Sequence, residues 1–353
     1  MKQELENALR IKYIKLHFTV SFLENTKLPA DKLSALRGGM GEMLLRANCI
    51  HDRNCVKCDF EPECIVHKTL YTQYAVRPKF VTAKDSIGYI LECENYDEGF
   101  SKGSLLQFDL ILFGKTIAYF HQYIEAFRAL GQEGIGINHS KFQIVSVTDT
   151  RGKPFLEREF RNRKQYLLYT LGEYAKYRVN QIQENGGADR LIFQTPLTLK
   201  YQNEFWKIFQ MEAIWEAVQR RIYMLECYEG MECSIYDCGR PEEQEMPVIR
   251  EQVCRDAFVN RFSSTQNKKM TLWGIKGYMQ MDHIPENMLF ILAAYLRKKM
   301  IACRTGSGCK IHLFPDTTAP LMFVLGARSV FPGTVQLYEY IPKEDTYMAS
   351  LTN

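Results

Sequence analysis

The stretch YIKLHFTVSF, residues 13–22, alternates between apolar and polar side chains along most of its length. One face carries five apolar residues: Ile14, Leu16, Phe18, Val20 and Phe22. The opposite face carries four polar residues: Lys15, His17, Thr19 and Ser21. Because successive side chains of a strand point to opposite sides, this period of two predicts a half-buried β-strand.

Five further segments extend this strand into a larger unit. Apolar residues recur at helical spacing in residues 31–47, and the alternation returns near 87–93 and 106–112. A second helical pattern spans 117–127, and glycines end it before a last strand that begins at Phe142. The predicted order is strand, helix, strand, strand, helix, strand. That order is typical of the ferredoxin-like split βαβ unit, which RNA-recognition modules also use.

The second half of the chain repeats this order. Its strand and helix patterns follow one another at 191–193, 203–228, 249–262, 268–281, 288–295 and 309–314. The predicted fold class is therefore α+β, with two tandem ferredoxin-like βαββαβ domains separated by the polar residues 150–188. The first predicted domain spans 8–150 and contains a four-cysteine loop at 48–70. The second spans 188–314 and contains a Gly-rich loop. A C-terminal extension at 315–353 has no assigned role.

Composition limits the classes of protein to be considered. The chain has 353 residues, and 46% of them are hydrophobic, which is enough to build hydrophobic cores. Its formal net charge is only +4, so it is not a highly basic protein that binds nucleic acid through overall charge. It has neither an apolar run of membrane-spanning length nor a cationic leader with an apolar segment. Its odd cysteine count, 11, fits a reducing compartment better than a disulfide framework. We therefore expect a soluble, cytoplasmic protein with no membrane partner.

Four cysteines form the densest chemical pattern in the chain: Cys49, Cys55, Cys58 and Cys64. Tetrahedral zinc needs four thiolates brought together, and a compact loop with one Cys-x2-Cys turn can supply them. The pattern predicts one structural zinc site, with an iron–sulfur cluster and four unligated thiols as the alternatives. A closed four-cysteine site leaves no open coordination position, so we expect no cofactor for catalysis.

Four sequence stretches, taken in order, resemble the CRISPR-associated endoribonucleases of the RAMP superfamily, which cut precursor CRISPR RNA at its repeats. They are LRGGMG at 36–41 followed by the four cysteines, FDLILFG at 108–114 with GIG at 134–136, FQTPL at 193–197 leading to Arg220 and Arg221, and RFSSTQ at 261–266 with GIKG at 274–277 and the Gly-rich 304–309. The chain is similar to the cysteine-cluster variety of that family.

The resemblance implies an antiviral function. The expected activity is metal-independent cleavage of CRISPR precursor RNA within repeats by attack of the 2′-OH, and such an enzyme can retain the mature guide RNA. The expected partners are CRISPR repeat RNA or crRNA and, as a further candidate, other subunits of a CRISPR effector complex. The alternatives are a non-catalytic RAMP-fold subunit that binds guide RNA and a zinc-stabilised structural protein with no RNA role.

The resemblance also guides the choice of site residues. Histidine suits the role of general base because its pKa lies near working pH, and a cation must offset charge on the phosphorane. The catalytic candidates are His51, His67 and Lys57, with His17 as a further histidine to compare. The RNA-binding candidates are Arg37, Arg46, Arg53, Arg261, Gln266, Lys268, Lys269, Lys276, Arg304, Gly306 and Gly308.

Overall fold

The computed structural model describes most of the chain. The described residues are 9–71, 74–77, 88–150, 152–155, 168–184, 188–198, 200–201, 204–205, 207–231, 246–263, 268–295, 311–313, 335–341 and 346–352. No helix among these residues is both long enough and apolar enough to cross a membrane. The structure is a mixed arrangement of helices and mainly antiparallel sheets.

The first half follows the predicted order of strands and helices. Its elements are β1 Lys12–Phe22, β2 Thr26–Lys27, α1 Leu33–Asn48, α2 Ile65–Thr69, β3 Tyr89–Glu92, β4 Gly99–Phe100, β5 Leu105–Phe113, α3 Phe120–Glu133 and β6 Phe142–Thr148. The main sheet has the antiparallel order β3-β5-β1-β6. The strand that YIKLHFTVSF predicts therefore lies in the middle of the sheet, between β5 and β6.

The apolar face of β1 packs onto α1 and α3. Phe18 is fully buried, and its ring stacks on that of Phe108 in β5 at a centroid distance of 4.9 Å. Phe127 of α3 lies at the same distance from both rings. This aromatic cluster fixes the helices on one side of the sheet and leaves the face that bears His17 on the other side.

Two glycines allow the close packing of the helices. A methyl group on Gly39 of α1 would lie 2.5 Å from Leu130 of α3, so this glycine lets the two helices approach. A methyl group on Gly131 would lie 2.3 Å from the main-chain oxygen of Phe142, at the start of β6. The predicted first helix therefore forms through Gly38 and Gly39 because packing outweighs their poor helix propensity.

The second half contains most of its predicted elements with changed boundaries. It consists of β7 Tyr169–Thr170, α4 Leu171–Glu184, β8 Arg190–Leu197, β9 Lys200–Tyr201, β10 Glu204–Phe205, α5 Met211–Glu229, β11 Ile249–Ser263, β12 Lys268–Met281, α6 Glu286–Tyr295, β13 Ile311–Leu313, β14 Val335–Ile341 and β15 Thr346–Thr352. An antiparallel sheet has the order β11-β12-β8.

Three predictions for this half differ from the structure. The helix predicted from residue 203 begins at Met211, because 204–205 pairs with 200–201. The segment 150–188 includes a helix, α4, and so is not a linker throughout. The closing strand, β13, pairs in parallel with β14 rather than with β8, so the C-terminal extension contributes strands to a third sheet.

The two halves share a hydrophobic core. Buried residues of α4, α5 and α6 form one cluster with Tyr13 of β1 and with Ile111 and Phe113 of β5. Tyr228 of α5 also shares a buried hydrogen bond with Thr116, in the 3-10 helix that follows β5. Burial raises the pKa of Tyr228 to about 12. One end of the first sheet is therefore covered by the second half, on the same face as His17.

Candidate functional site

The cysteine loop joins α1 to α2 and is shaped by short turns. Asp52 and Arg53 adopt positive φ angles of 42° and 62°, which reverse the chain just after α1. The main-chain N–H of Arg53 consequently lies 3.2 Å from Sγ of Cys49. The N–H of Cys58 donates to the oxygen of Cys55 at 3.2 Å, closing the Cys-x2-Cys turn. The loop therefore has a defined backbone around its thiols.

All four cysteines of the predicted zinc site line one cavity. Its volume is about 240 Å³, and His51 and His67 line it as well. Each of the four thiols is half-buried and free of a disulfide. Within the described part of the chain, no three His, Cys, Asp or Glu side chains are arranged as a ready metal site.

The donor chemistry of this cavity suits a thiophilic metal. Four thiols open onto one space, and a main-chain N–H points at one of the sulfurs, as is common around metal thiolates. The same donors suit zinc and an iron–sulfur cluster. The zinc site thus stays a prediction, and Cys49, Cys55, Cys58 and Cys64 are the residues that would hold the ion.

The two histidines of the loop differ in access. His51 is exposed, and its imidazole has no hydrogen-bond partner among the residues that the structure describes. His67 is only 3% exposed, and its Nε2 lies 3.1 Å from Oε1 of Glu61. Burial makes proton exchange between His67 and a bound RNA difficult. Among the catalytic candidates, His51 and the exposed Lys57 are the side chains that a substrate can reach.

Two of the predicted RNA-binding arginines share one carboxylate. Glu42 of α1 accepts hydrogen bonds from Arg46 at 2.9 Å and from Arg53 at 2.7 Å. The bond from Arg53 is the main cause of a lowered pKa for Glu42. Arg46 also bonds to Glu133 of α3 at 3.2 Å. The arginines are thus positioned by carboxylates, and their positive charge is partly offset.

The other predicted RNA-binding residues lie in several places. Nε of Arg37 donates to the hydroxyl of Tyr89 at 3.2 Å. In the β11–β12 pair, Arg261 lies opposite Met270, and the register pairs 262–263 with 268–269, so Lys268 and Lys269 are at the end of the hairpin.

Lys276 is eight residues further along β12 than Lys268, about 26 Å at the rise of a strand. It therefore does not belong to the hairpin-end group. Four predicted residues lie outside the described residues: Gln266, Arg304, Gly306 and Gly308.

The structure also brings together a polar row that the sequence did not reveal. Glu92 of β3, Asp109 of β5 and His17 of β1 are direct cross-strand neighbours. Nδ1 of His17 lies 2.6 Å from Oδ1 of Asp109, and Nζ of Lys15 lies 2.5 Å from Oδ2 of the same carboxylate. Asp109 is only 4% exposed, and a charged residue within the apolar stretch 108–113 was the available signal.

Comparisons with known proteins give one match by sequence and several by structure. The family model described as AF_1859_N, N-terminal domain, matches residues 9–168. A sequence search of curated proteins finds no match.

Several solved structures match the chain in a structural comparison. For a partial Cas6-RT-Cas1–Cas2 complex the TM-score is 0.46 at 11% identity, over 80% of this chain and 42% of that chain. This chain thus spans less than half of that longer polypeptide. For a Cas6 product complex the TM-score is 0.40 at 11% identity, over 80% of this chain and 90% of that chain. For Cas6 of Thermus thermophilus the TM-score is 0.38 at 10% identity, over 80% of this chain and 89% of that chain.

Proposed function

We propose that this chain is a metal-independent endoribonuclease that cuts CRISPR precursor RNA within its repeats. The observation that carries the proposal is the placement of His51 and Lys57. Both are exposed on one loop of defined backbone, directly after α1. The four-stretch resemblance puts the catalytic base of such enzymes in this region. A base and a cation on one accessible loop are the side chains that this reaction needs.

The proposed reaction uses a nucleophile that the RNA itself carries. His51 takes the proton of a 2′-OH while that oxygen bonds to the adjacent phosphorus. The bond from phosphorus to the 5′-oxygen breaks, and this oxygen takes a proton from water. Lys57 offsets the negative charge that develops on the phosphorane. The products are a 2′,3′-cyclic phosphate and a 5′-OH.

The four cysteines support this loop in the proposal. A zinc ion held by Cys49, Cys55, Cys58 and Cys64 would cross-link the segment between α1 and α2. His51 and Lys57 lie between the first and last of these cysteines, so such a cross-link would limit the positions that both side chains can take. Their separation from the attacked phosphate would then be held within the narrow range that catalysis requires.

Positive groups in both halves would hold the RNA backbone. In the first half, Arg46 of α1 and Arg53 of the cysteine loop are positioned by Glu42. In the second half, Lys268 and Lys269 lie at the end of a long hairpin. Phosphate contacts from such residues fix the register of a nucleic acid without reading its sequence. Base-specific contacts would have to come from other surfaces.

The test is cleavage of an end-labelled repeat RNA by the purified chain without added metal ions, repeated in EDTA under conditions in which elemental analysis shows unchanged zinc content. We expect a single cut, with a 2′,3′-cyclic phosphate on the upstream product. Tight binding without a cut would instead favour the second candidate, a guide-RNA-binding subunit. The lack of a described carboxylate partner for His51 is the observation that favours that candidate. Absence of both binding and cleavage would contradict both functions.

A further inference from the structure

Two cations lie directly opposite each other on the second sheet. The register of β11 and β12 pairs Arg255 with Lys276. Directly opposed side chains share one face of a sheet, with their Cβ atoms about 4.5–5.5 Å apart. Ile275 and Met279 of β12 are buried, so the alternation along the strand places the cation pair on the other face, which we call the outer face. Arg255 is exposed and Lys276 is half-buried.

The backbone holds this pair together although like charges at opposed positions destabilise a sheet. The two strands pair without interruption over Glu251–Ser263 of β11. A slip by one residue would turn the buried side chains of β12 to the outer face. Gly277, next to Lys276, has a φ of 142°, and a methyl group there would overlap the main-chain oxygen of Val253. The glycine lets the strands approach closely beside the cations, so the register keeps the two charges adjacent.

Neighbouring side chains leave the positive charge largely uncompensated. Among the residues that the structure describes, neither Arg255 nor Lys276 forms an ion pair. Glu251 lies four residues before Arg255 on the same face, but it accepts a hydrogen bond from the hydroxyl of Tyr278. The guanidinium of Arg190 adds another positive charge, 4.6 Å from the centre of the Tyr278 ring. The outer face around the pair therefore attracts anions.

The space and the donors beside the pair suit a phosphate group. The next opposed residues on the outer face are Ala257 and Gly274, whose small size leaves room on one side of the cations. Arginine presents a planar fork of N–H donors that matches phosphate oxygens, and lysine adds a compact charge with three donors. Placed on two adjacent strands, Arg255 and Lys276 can contact oxygens of the same phosphate.

We propose that Arg255 and Lys276 bind one phosphate of the RNA backbone between them. The statement rests on the proposed function, which makes RNA the anion. The site extends the RNA path from Lys268, at the end of the hairpin, over about 26 Å of β12 to Lys276. Arg255 is not among the residues that the sequence predicted, because its position opposite Lys276 depends on the register of the two strands.

The experiment measures binding of fluorescein-labelled oligouridine by fluorescence anisotropy at several salt concentrations. A length of about 12 nucleotides suits single-strand binding sites. This probe carries phosphates without a repeat sequence, so its binding does not depend on cleavage. Arg255→Gln and Lys276→Gln should each weaken binding about 10-fold, because each removes a charged hydrogen bond.

The double variant tests whether the two cations share one phosphate. Its loss of affinity should be smaller than the product of the two single effects. The slope of log affinity against log salt should decrease by about 0.7, the contribution of one phosphate contact on a single strand. The matched control replaces Arg250 and Lys207, two exposed cations of the second half, by glutamine. It removes the same charge and should change the affinity much less.

A charge reversal separates binding from folding. Lys276→Glu places a carboxylate opposite Arg255, so the urea concentration at the midpoint of unfolding should rise. Oligouridine binding should nevertheless fall further than it does with Lys276→Gln. A lower midpoint together with unchanged binding would show that the cation pair serves the fold and would overturn the inference.

Three further outcomes separate the inference from the proposed function. If the double glutamine variant binds oligouridine as tightly as the original protein while repeat RNA is still cut, the phosphate site is wrong and the nuclease proposal stands. If the variant loses affinity but the original protein cuts no repeat RNA, the site stands and the guide-RNA-binding subunit is favoured. If an oligoglutamate peptide binds the original protein but not the variant, and oligouridine binding is unchanged, the pair serves an acidic protein partner instead.

Discussion

Nζ of Lys32 lies 2.8 Å from the main-chain oxygen of Asp97, although the Lys32 side chain is only 1% exposed. It also donates to the main-chain oxygens of Asn95 at 2.9 Å and Ala30 at 3.2 Å. A lysine at the start of α1 thus holds the segment that follows β3. Buried ammonium groups are rare, and the three carbonyl oxygens are what makes this one tolerable.

Replacing Lys32 by methionine should therefore destabilise the fold. The apolar stem is kept, but three carbonyl oxygens lose their donor, so we expect the free energy of unfolding to fall by roughly 1–3 kcal/mol. Chemical denaturation measures this change. The matched control is Lys27→Met, at an exposed position, which should stay within about 0.5 kcal/mol of the original protein. Equal effects of the two variants would contradict the role of Lys32.

The effect of Lys32→Met should grow with pH. Burial lowers the pKa of Lys32 below its ordinary value of 10.5, which the unfolded chain retains. Between these two pKa values the unfolded state binds more protons, so this group makes folding more favourable as pH rises. The variant lacks that contribution. Denaturation of both proteins at several pH values up to about 10.5 should show a widening gap in stability, and a constant gap would contradict the lowered pKa.

The cysteine loop should bind about one zinc per chain. Elemental analysis of protein purified without chelator measures it. Cys58→Ser should lose the metal, whereas Cys93→Ser, a half-buried cysteine outside the loop, should keep it. A visible absorption band together with bound iron would show that the site holds an iron–sulfur cluster instead of zinc. Protein that carries no metal would leave the four thiols unligated.

Loss of the His51 side chain should affect cleavage without affecting binding. His51→Ala should lower the cleavage rate about 10²–10⁴-fold, the usual contribution of a positioned base, while RNA affinity and zinc content stay nearly unchanged. His121→Ala, an exposed histidine on α3, is the matched control and should cut normally. His67→Ala should act on stability more than on rate, because that side chain is buried. If every histidine variant cuts normally, the histidine-base mechanism is wrong.

The end of the β11–β12 hairpin should contribute to RNA affinity through charge alone. Replacing Lys268 and Lys269 by alanine should weaken binding to every RNA sequence by a similar factor. The slope of log affinity against log salt should decrease by about 1.4, since each phosphate contact on a single strand contributes about 0.7. The control replaces Lys27 and Lys102, two exposed lysines of the first half, by alanine. It removes the same charge and should change the salt slope less.

Much of the first half could be predicted because its strands have one buried face. The strict alternation in residues 13–22 determines which side of β1 meets the helices, and the observed strand differs from the prediction by one residue. The start of α5 was placed too early because Phe205 and Ile208 fit a helical spacing. Both are exposed in the structure, at 60% and 50%. Apolar spacing alone cannot tell a buried helical turn from an exposed hairpin.

Two features needed the three-dimensional structure for different reasons. The helix α4 had a signal, since Leu171, Ala175, Val179 and Ile182 recur at helical spacing and are buried. The many charged residues of that segment hid it. No residue spacing in the sequence predicts the contact of His17 with Asp109, because that contact depends on the register between β1 and β5. Register is determined by the packing of both strands together and not by either one alone.

The shared core makes burial of part of the first sheet depend on the second half. Tyr13, Ile111 and Phe113 belong to strands of the first sheet, yet the apolar surface that buries them comes from helices beyond residue 170. A polypeptide that ended at residue 150 would leave this patch in water. Burial of this patch therefore depends on the helices of the second half. The boundary seen in the sequence separates two patterns of elements, and one buried apolar cluster spans it.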